Sequence, residues 1–170
     1  MATEQTHSTE LREVTERWMQ GWNQQDADLL VAQLADSFEY TDPAWPTAIT
    51  DADEVRRFTA ACWRAMPDVR FTEPLGLFAS ADGNAACAPW HMSATLSGRF
   101  EPPGYQGTGQ RIEIDGVDVF ELRGGKIARL RTIYDAMEIG RAIGLVPARG
   151  SRGERMGAKL QGLMAKRRRR

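Results

Sequence analysis

The sequence predicts an α+β domain in which helices precede a sheet. As far as residue 66, apolar residues recur at spacings of three and four, which is typical of amphipathic helices. From Val69 onward, β-branched and aromatic residues dominate runs that are separated by Gly, Pro and Asp turns, which is typical of strands. A chain of 170 residues with a hydrophobic share of 42% can build one core around a pocket. We therefore expect a curved antiparallel sheet of about four to six strands, with three N-terminal helices enclosing a cone-shaped pocket.

Apolar stripes predict the three N-terminal helices. A first helix is expected over residues 8–23 and a second over 27–36, with Asp26 as its cap. Thr50 is expected to open the third helix, with Asp53 as an acidic partner in the first turn, and Pro67 to stop it. The apolar positions of the first and third stripes are Leu11, Val14, Trp18, Trp22, Val55, Phe58 and Cys62.

Alternating residues predict the strands. Residues 37–41 form a short strand that ends at Asp42-Pro43, and Tyr40 and Asp42 fall on the same side of it. A strand over residues 69–80 is broken near Pro74 and is followed by a long strand over residues 84–100. Trp90 is on one side of the long strand and His91 is on the other. Alternation alone does not say which side faces the pocket.

Residues 110–135 predict a hairpin that turns at Gly124-Gly125, after which Asp135 caps a closing helix. Its first strand carries Asp118 between two valines, on the same side as Phe120. A carboxylate in such a place is costly unless it is paired, protonated or used. The alternative to a functional role is an ion pair with Arg129 or Arg131 on the return strand.

Composition excludes several classes of protein. No run of 18 apolar residues and no secretory signal is found, so we expect a cytoplasmic protein. Cys62 and Cys87 are too few for a disulfide framework or a zinc site, and no phosphate-binding loop is seen. We therefore expect neither a metal nor an organic cofactor.

The charge of the chain is unevenly distributed. Residues 149–170 hold nine Lys or Arg and one Glu, whereas the rest of the chain holds 13 basic and 22 acidic residues. We expect a domain over residues 1–148 and a basic tail over 149–170 that forms an amphipathic helix against its own domain or a partner subunit. Contact of the tail with nucleic acid or membrane is not expected, because the domain itself is acidic.

The order of these elements resembles the nuclear-transport-factor-2-like superfamily, which includes ketosteroid isomerase, the SnoaL-type polyketide cyclases and limonene epoxide hydrolase. The resemblance covers residues 9–146, and its most telling parts are WNQQDADLLVAQLADSFEYTDP, PPGYQGTG and GVDVFELRGGKIARLRTIYD. It implies a cystatin-like α+β barrel, a homodimer and a hydrophobic small-molecule substrate.

The resemblance also implies roles for single residues. Asp42 matches the general base of ketosteroid isomerase, and Asp118 matches its second acid, which stays neutral and donates a hydrogen bond to the enolate oxygen. The isomerase's helix tyrosine falls on Trp18, and the acid that the cyclases and the hydrolase use falls on Thr132. Epoxide hydrolysis is not expected, because the Arg and Asp that it needs are absent from residues 90–93.

These observations predict an isomerase or cyclase that abstracts a proton from a hydrophobic ketone, steroid-like or polyketide-like, without a cofactor. Asp42 and Asp118 are the catalytic candidates, and either Tyr40 or Tyr134 is a candidate oxyanion donor. The alternative is a non-catalytic module of the same fold that binds a small molecule or a protein. The expected substrate-binding residues are Trp18, Tyr40, Trp63, Trp90, Phe120, Thr132 and Tyr134.

Overall fold

The computed structural model describes residues 2–73 and 75–168, and confirms the α+β class. Side chains are described for residues 9–73 and 75–167. Pro74, at which the sequence predicts a strand break, lies outside the described residues, as do the last two arginines of the basic tail.

Three helices precede most of the sheet, as predicted, but three of their boundaries differ from the sequence expectation. The first helix already begins at Ala2. Asp51, and not Thr50, caps the third helix, since its side chain accepts a hydrogen bond from the backbone N–H of Glu54 at 2.8 Å. The second helix ends at Val31 because Leu34 already pairs with Ile127 in the sheet. The helices are α1 (Ala2–Gln24), α2 (Ala27–Val31) and α3 (Ala52–Ala65).

The sheet has six strands in the order β1-β6-β5-β4-β2, and β3 also pairs with β4. All pairs are antiparallel except β1 with β6, so the expectation of a wholly antiparallel sheet is wrong at this edge. Residues 42–125 separate β1 from β6, and no short hairpin therefore constrains their relative direction. The strands are β1 (Leu34–Thr41), β2 (Arg70–Thr72), β3 (Phe78–Ala79), β4 (Ala85–Thr95), β5 (Arg111–Arg123) and β6 (Lys126–Tyr134).

The β5–β6 hairpin turns at the two glycines that the sequence indicates. Gly124 and Gly125 have φ angles of 60° and 70°, a conformation that other residues rarely adopt. A register shift between Glu121 and Leu122 bends the pair. The sheet is therefore curved, and the helices pack against its inner face.

Two further helices follow the sheet. Asp135 caps α4 (Ala136–Ala142) as predicted, accepting from the N–H of Met137 at 2.9 Å. The last helix is α5 (Arg152–Arg168). None of the described helices combines the length and the apolar character that are needed to cross a membrane.

Candidate functional site

A cavity of about 460 Å³ lies between the helices and the inner face of the sheet. Its wall is mostly apolar and aromatic, and α1, α3, α4 and five strands contribute to it. This size and composition suit a drug-sized apolar ligand. Two buried carboxyl groups, Asp42 and Asp118, lie on the wall.

Asp42 follows the end of β1, where three donors surround its carboxyl group. Oδ1 accepts from the N–H of Ala44 at 2.8 Å and from the Tyr134 hydroxyl at 2.9 Å, and Oδ2 accepts from the Tyr40 hydroxyl at 3.3 Å. Burial raises the pKa of Asp42, and the three hydrogen bonds act against that rise because they favour the charged form. The arrangement orients a carboxylate with its oxygens held in fixed positions.

Asp118 lies in the middle of β5 and is 8% exposed. Its Oδ1 accepts from the Thr132 hydroxyl at 2.7 Å and from the indole N–H of Trp90 at 3.2 Å. No described residue makes a hydrogen bond to Oδ2. Arg129 pairs with Glu39 and Glu121 instead, so the ion pair with Asp118 that the sequence left open is not formed by Arg129.

The two carboxyl groups differ in their affinity for protons. Burial is the main reason that the pKa of Asp118 is raised from 3.8 to about 7, and the charge of Asp42 adds to the rise. Asp42 has the larger number of donors, among them a backbone N–H. Near neutral pH, Asp42 is therefore the better candidate for the charged form and Asp118 for the protonated form.

The Trp18 indole on α1 is part of the same wall. Its ring meets Tyr40 edge to face with centroids 5.5 Å apart, and it is 2% exposed. The indole Nε1 is buried and makes no hydrogen bond of good geometry to a described residue, but it lies near enough to Asp118 to act against the rise of that group's pKa. A buried donor without a partner is costly, so this N–H can receive an acceptor atom from a ligand.

Most of the residues that the sequence singles out as ligand-binding lie on the cavity wall. Trp90, Phe120 and Tyr134 come from neighbouring strands, and Thr132 pairs directly across from Asp118. Trp90 is placed there because it alternates with His91 on β4, whose inner side faces the cavity. Alternation alone does not say which face of this strand lines the pocket, and the structure shows that it is the face with Trp90.

Trp63 and His91 lie away from the cavity. Trp63 is one position beyond the inner stripe of α3, and its ring packs against Trp22 at a centroid distance of 5.8 Å behind the wall. His91 is on the outer face of the sheet, where its Nδ1 lies 2.8 Å from Asp115 Oδ1. The structure does not bring Trp63 to the cavity, although we expected it there.

The sequence also missed several wall residues. Trp45 follows Asp42 in the same loop, packs on Phe58 and donates from its indole to Glu54 at 3.0 Å. Glu73 comes just after β2, and its side chain also lines the cavity. Residues 100–106 and α4 close the remaining side of the cavity. The sequence indicates a Pro- and Gly-rich loop and a closing helix there, but nothing in it places them on the wall.

Among the described residues, no three His, Cys, Asp or Glu side chains come together in a group that could hold a metal ion. Cys62 lies on the wall with its thiol pKa raised, first by burial and then by the charge of Asp42. Because the pKa values of this thiol and of the Tyr40 and Tyr134 hydroxyls are raised, the carboxyl groups are the better candidates to exchange protons with a ligand.

Comparison with known proteins agrees with this geometry. A sequence model described as the SnoaL-like domain matches residues 15–130. No curated protein matches the sequence at a significant level.

Several solved structures share the fold. AclR, a proposed hydroxylase from Streptomyces galilaeus, aligns with a TM-score of 0.70 at 18% identity, over 95% of this chain and 98% of its own. A proposed SnoaL-like polyketide cyclase from Jannaschia sp. CCS1 gives 0.67 at 19% identity, over 82% of this chain and 94% of its own. A protein with a ketosteroid isomerase-like fold from Catenulispora acidiphila, in complex with trimethylamine, gives 0.64 at 14% identity, over 78% and 92%.

At such identities the structural likeness shows the fold alone, whereas the family match spans about two thirds of the chain. The protein therefore belongs to the SnoaL-like domain family, within the nuclear-transport-factor-2-like superfamily.

Proposed function

We propose that this protein is an isomerase or cyclase that moves a proton on a hydrophobic ring ketone without a cofactor. The observation that carries the proposal is the pair of buried carboxyl groups, with different proton affinities, on the wall of an otherwise apolar cavity. Pairs of titratable groups whose pKa values are pushed apart are typical of acid–base catalysis.

Asp42 acts as the base. Its carboxylate takes a proton from the carbon next to the ketone, and the electrons of the broken C–H bond move into a new C=C bond as the carbonyl oxygen becomes an enolate. The hydroxyl of Tyr134 and the N–H of Ala44 both donate to Oδ1. Oδ2 has one partner, the Tyr40 hydroxyl, at the longer distance of 3.3 Å. Oδ2 is therefore the better placed atom to accept the proton.

Asp118 acts as the acid partner. In its protonated form it donates a hydrogen bond to the developing enolate oxygen, and the free indole N–H of Trp18 is a second donor. Tyr40 and Tyr134 both donate to Asp42, so neither hydroxyl is the first choice for that oxygen. Return of the proton to another carbon gives an isomer, and attack of the enolate carbon on a second carbonyl closes a ring.

The wall supports a flat polycyclic substrate. Trp18, Trp90, Phe120 and Tyr134 offer aromatic surface around the carboxyl pair, and a volume of about 460 Å³ accommodates several fused rings. The names of structural relatives that are proposed polyketide cyclases favour the same class of ligand.

The second candidate function is a binding module without catalysis. It is favoured by two departures from the related enzymes, namely Trp18 at the position of the isomerase tyrosine and Thr132 at the position of the cyclase acid. In this alternative the same cavity holds the ligand, and the carboxyl pair serves only for recognition.

Exchange of deuterium into a steroid ketone at the carbon next to its carbonyl, followed by NMR or mass spectrometry, distinguishes the two functions. We expect Asp42→Asn to slow the exchange by on the order of 10²–10⁴-fold, while the affinity for the ketone changes by less than about fivefold.

Asp115→Asn is the matched control, since Asp115 is an aspartate on the outer face of the sheet. It should exchange deuterium as fast as the wild type. Exchange at the wild-type rate in Asp42→Asn would remove Asp42 from the mechanism, and tight binding with no exchange by the wild type would favour the binding module.

A further inference from the structure

Acidic side chains lie on the cavity wall, and no basic ones are found among the described wall residues. The described wall residues include Asp42, Glu73 and Asp118 but no Lys, Arg or His. A ligand that carries a carboxylate or a phosphate would therefore meet negative charge in a partly desolvated cavity and find no cation to balance its own. The wall selects against anions.

Glu73 is the wall acid that the proposed chemistry does not use. It lies two residues beyond Phe71, on the same side of the chain, and both residues line the cavity. No hydrogen bond or ion pair joins its carboxyl group to any described residue. Burial is the main reason that its pKa is raised, which is the mark of a carboxylate without a compensating partner.

The surroundings of Glu73 separate it from the catalytic pair. The other charges that act on it are those of Glu16 and Arg12 on α1, and neither Asp42 nor Asp118 is among them. Arg12 is directed to Glu16, at 4.0 Å, and its side chain is 62% exposed. Glu73 follows β2 at one edge of the sheet, whereas Asp42 follows β1 at the opposite edge, so Glu73 is a second polar point on the wall.

Trp18 supplies an independent sign that the wall is built for a polar ligand. Its buried indole N–H, on the same wall and beside Asp118, makes no hydrogen bond of good geometry, so it can donate to an acceptor atom such as a carbonyl oxygen at the ketone end of a ligand. An unsatisfied donor at one point and an unsatisfied acceptor at another fit a ligand with a carbonyl group at one end and a donor group at the other.

We propose that Glu73 is a specificity-determining residue that binds a protonated amine at the end of the substrate remote from its ketone. The substrate class is then an amino-substituted polycyclic ketone and not a carboxylic acid. This inference rests on the proposed function for the ketone end alone, since the amine contact of Glu73 is a matter of binding and not of proton transfer.

Binding measurements test it with three steroid ketones that differ in the group on the ring remote from the carbonyl: an amine, a hydroxyl or a carboxylate. Quenching of tryptophan fluorescence in the full-length protein reports affinity whether or not the ligand turns over. We expect the wild type to bind the amine about tenfold more tightly than the alcohol, and the carboxylate most weakly.

In Glu73→Gln the preference for the amine over the alcohol should fall to within about twofold, and the carboxylate should gain affinity, whereas the alcohol should bind as before. Glu113→Gln is the matched control, because Glu113 is an exposed acid on β5 that is not part of the wall and pairs with Arg111. It should keep the preference of the wild type.

An amine preference that persists in Glu73→Gln, or that is lost equally in Glu113→Gln, overturns the inference. So does a wild type that binds the carboxylate as tightly as the amine. The wild type could also prefer the amine but exchange no deuterium, while Glu73→Gln lacks the amine preference. In that case the proposed catalysis fails and the amine site stands.

Discussion

At the scale of single residues, the protonation of Asp118 is set by opposing contacts. Burial disfavours the carboxylate and is the largest influence on its pKa, whereas Thr132, Trp90 and, least of the three, Trp18 favour the charged form. The charge of Asp42 then raises the pKa further. A pKa of about 7 in place of 3.8 means that the folded protein holds this proton over a pH range in which the unfolded chain has lost it.

The consequence is a stability that decreases as the pH rises. The contribution of the Asp118 proton is fully present below pH 3.8 and is lost as the pH rises through about 7, which amounts to about 4 kcal/mol in total. Asn keeps an acceptor for both donors without a charge. We therefore expect Asp118→Asn to be more stable than the wild type at pH 8, with an advantage about 2–3 kcal/mol larger than at pH 5.

Urea unfolding at the two pH values measures this difference. Asp115→Asn, on the outer face of the same strand, serves as the control because its side chain is exposed. An advantage of the same size at both pH values would mean that the folded protein does not hold the proton on Asp118. Deuterium exchange should in addition lose its decline above about pH 7 in Asp118→Asn, since the group that titrates there is gone.

The sequence predicts single site residues better than it predicts their partners. The side of β5 that Asp118 shares with Phe120 follows from the alternation of a strand, which is a local property. The contact of Tyr134 with Asp42 joins residues 92 positions apart and depends on β1 lying beside β6. No local pattern encodes such a pairing, and Glu73 was missed because nothing nearby in the chain distinguishes an inward acid from an exposed one.

At the scale of elements, the β4–β5 pair holds the acid in position through a glycine. Trp90 on β4 pairs directly with Gly116 on β5, and its indole lies over that glycine to reach Asp118. A Cβ atom at position 116 would lie 2.2 Å from Cζ2 of the indole. The bulky ring fits because its cross-strand neighbour has no side chain.

Gly116→Ala should therefore displace Trp90. We expect a loss of stability of about 1–3 kcal/mol from overpacking, together with a broken Trp90–Asp118 hydrogen bond. Thermal unfolding measures the first effect, and tryptophan fluorescence reports the second. Gly157→Ala on α5 is the matched control, because a Cβ there meets nothing within 4 Å. Equal stability of Gly116→Ala and the wild type would contradict the close packing of these strands.

Element boundaries show where local patterns give way to the sheet. The apolar pattern over residues 27–36 suits a helix, yet its last third is taken into β1, where Leu34 pairs with Ile127 and is 8% exposed. The Gly124-Gly125 turn, in contrast, is specified by the residues that form it and was predicted correctly. Sequence patterns were reliable where the determinant is local, and they failed where a distant strand decides.

At the scale of the whole molecule, the charge and the contacts of α5 separate it from the rest of the described chain. Its large apolar residues are all exposed: Met156 by 69%, Leu160 by 57%, Leu163 by 61% and Met164 by 54%. None of its described residues lies on the cavity wall. The ion pairs of Arg149 with Asp135 and Glu138 come before the helix begins.

Removal of residues 151–170 should therefore leave the domain intact. A helix of 17 residues that buries no apolar face adds little to the free energy of folding, since isolated helices of this length are marginal in water. We expect the truncated protein, which keeps Arg149, to unfold within about 0.5 kcal/mol of the full chain and to bind the steroid ketone with the same affinity. Urea unfolding and ligand titration of the two proteins test this. A second truncation that also removes Arg149 measures what its ion pairs with Asp135 and Glu138 contribute to stability. A marked loss of stability in the first truncation would contradict this prediction and show that α5 packs on the domain.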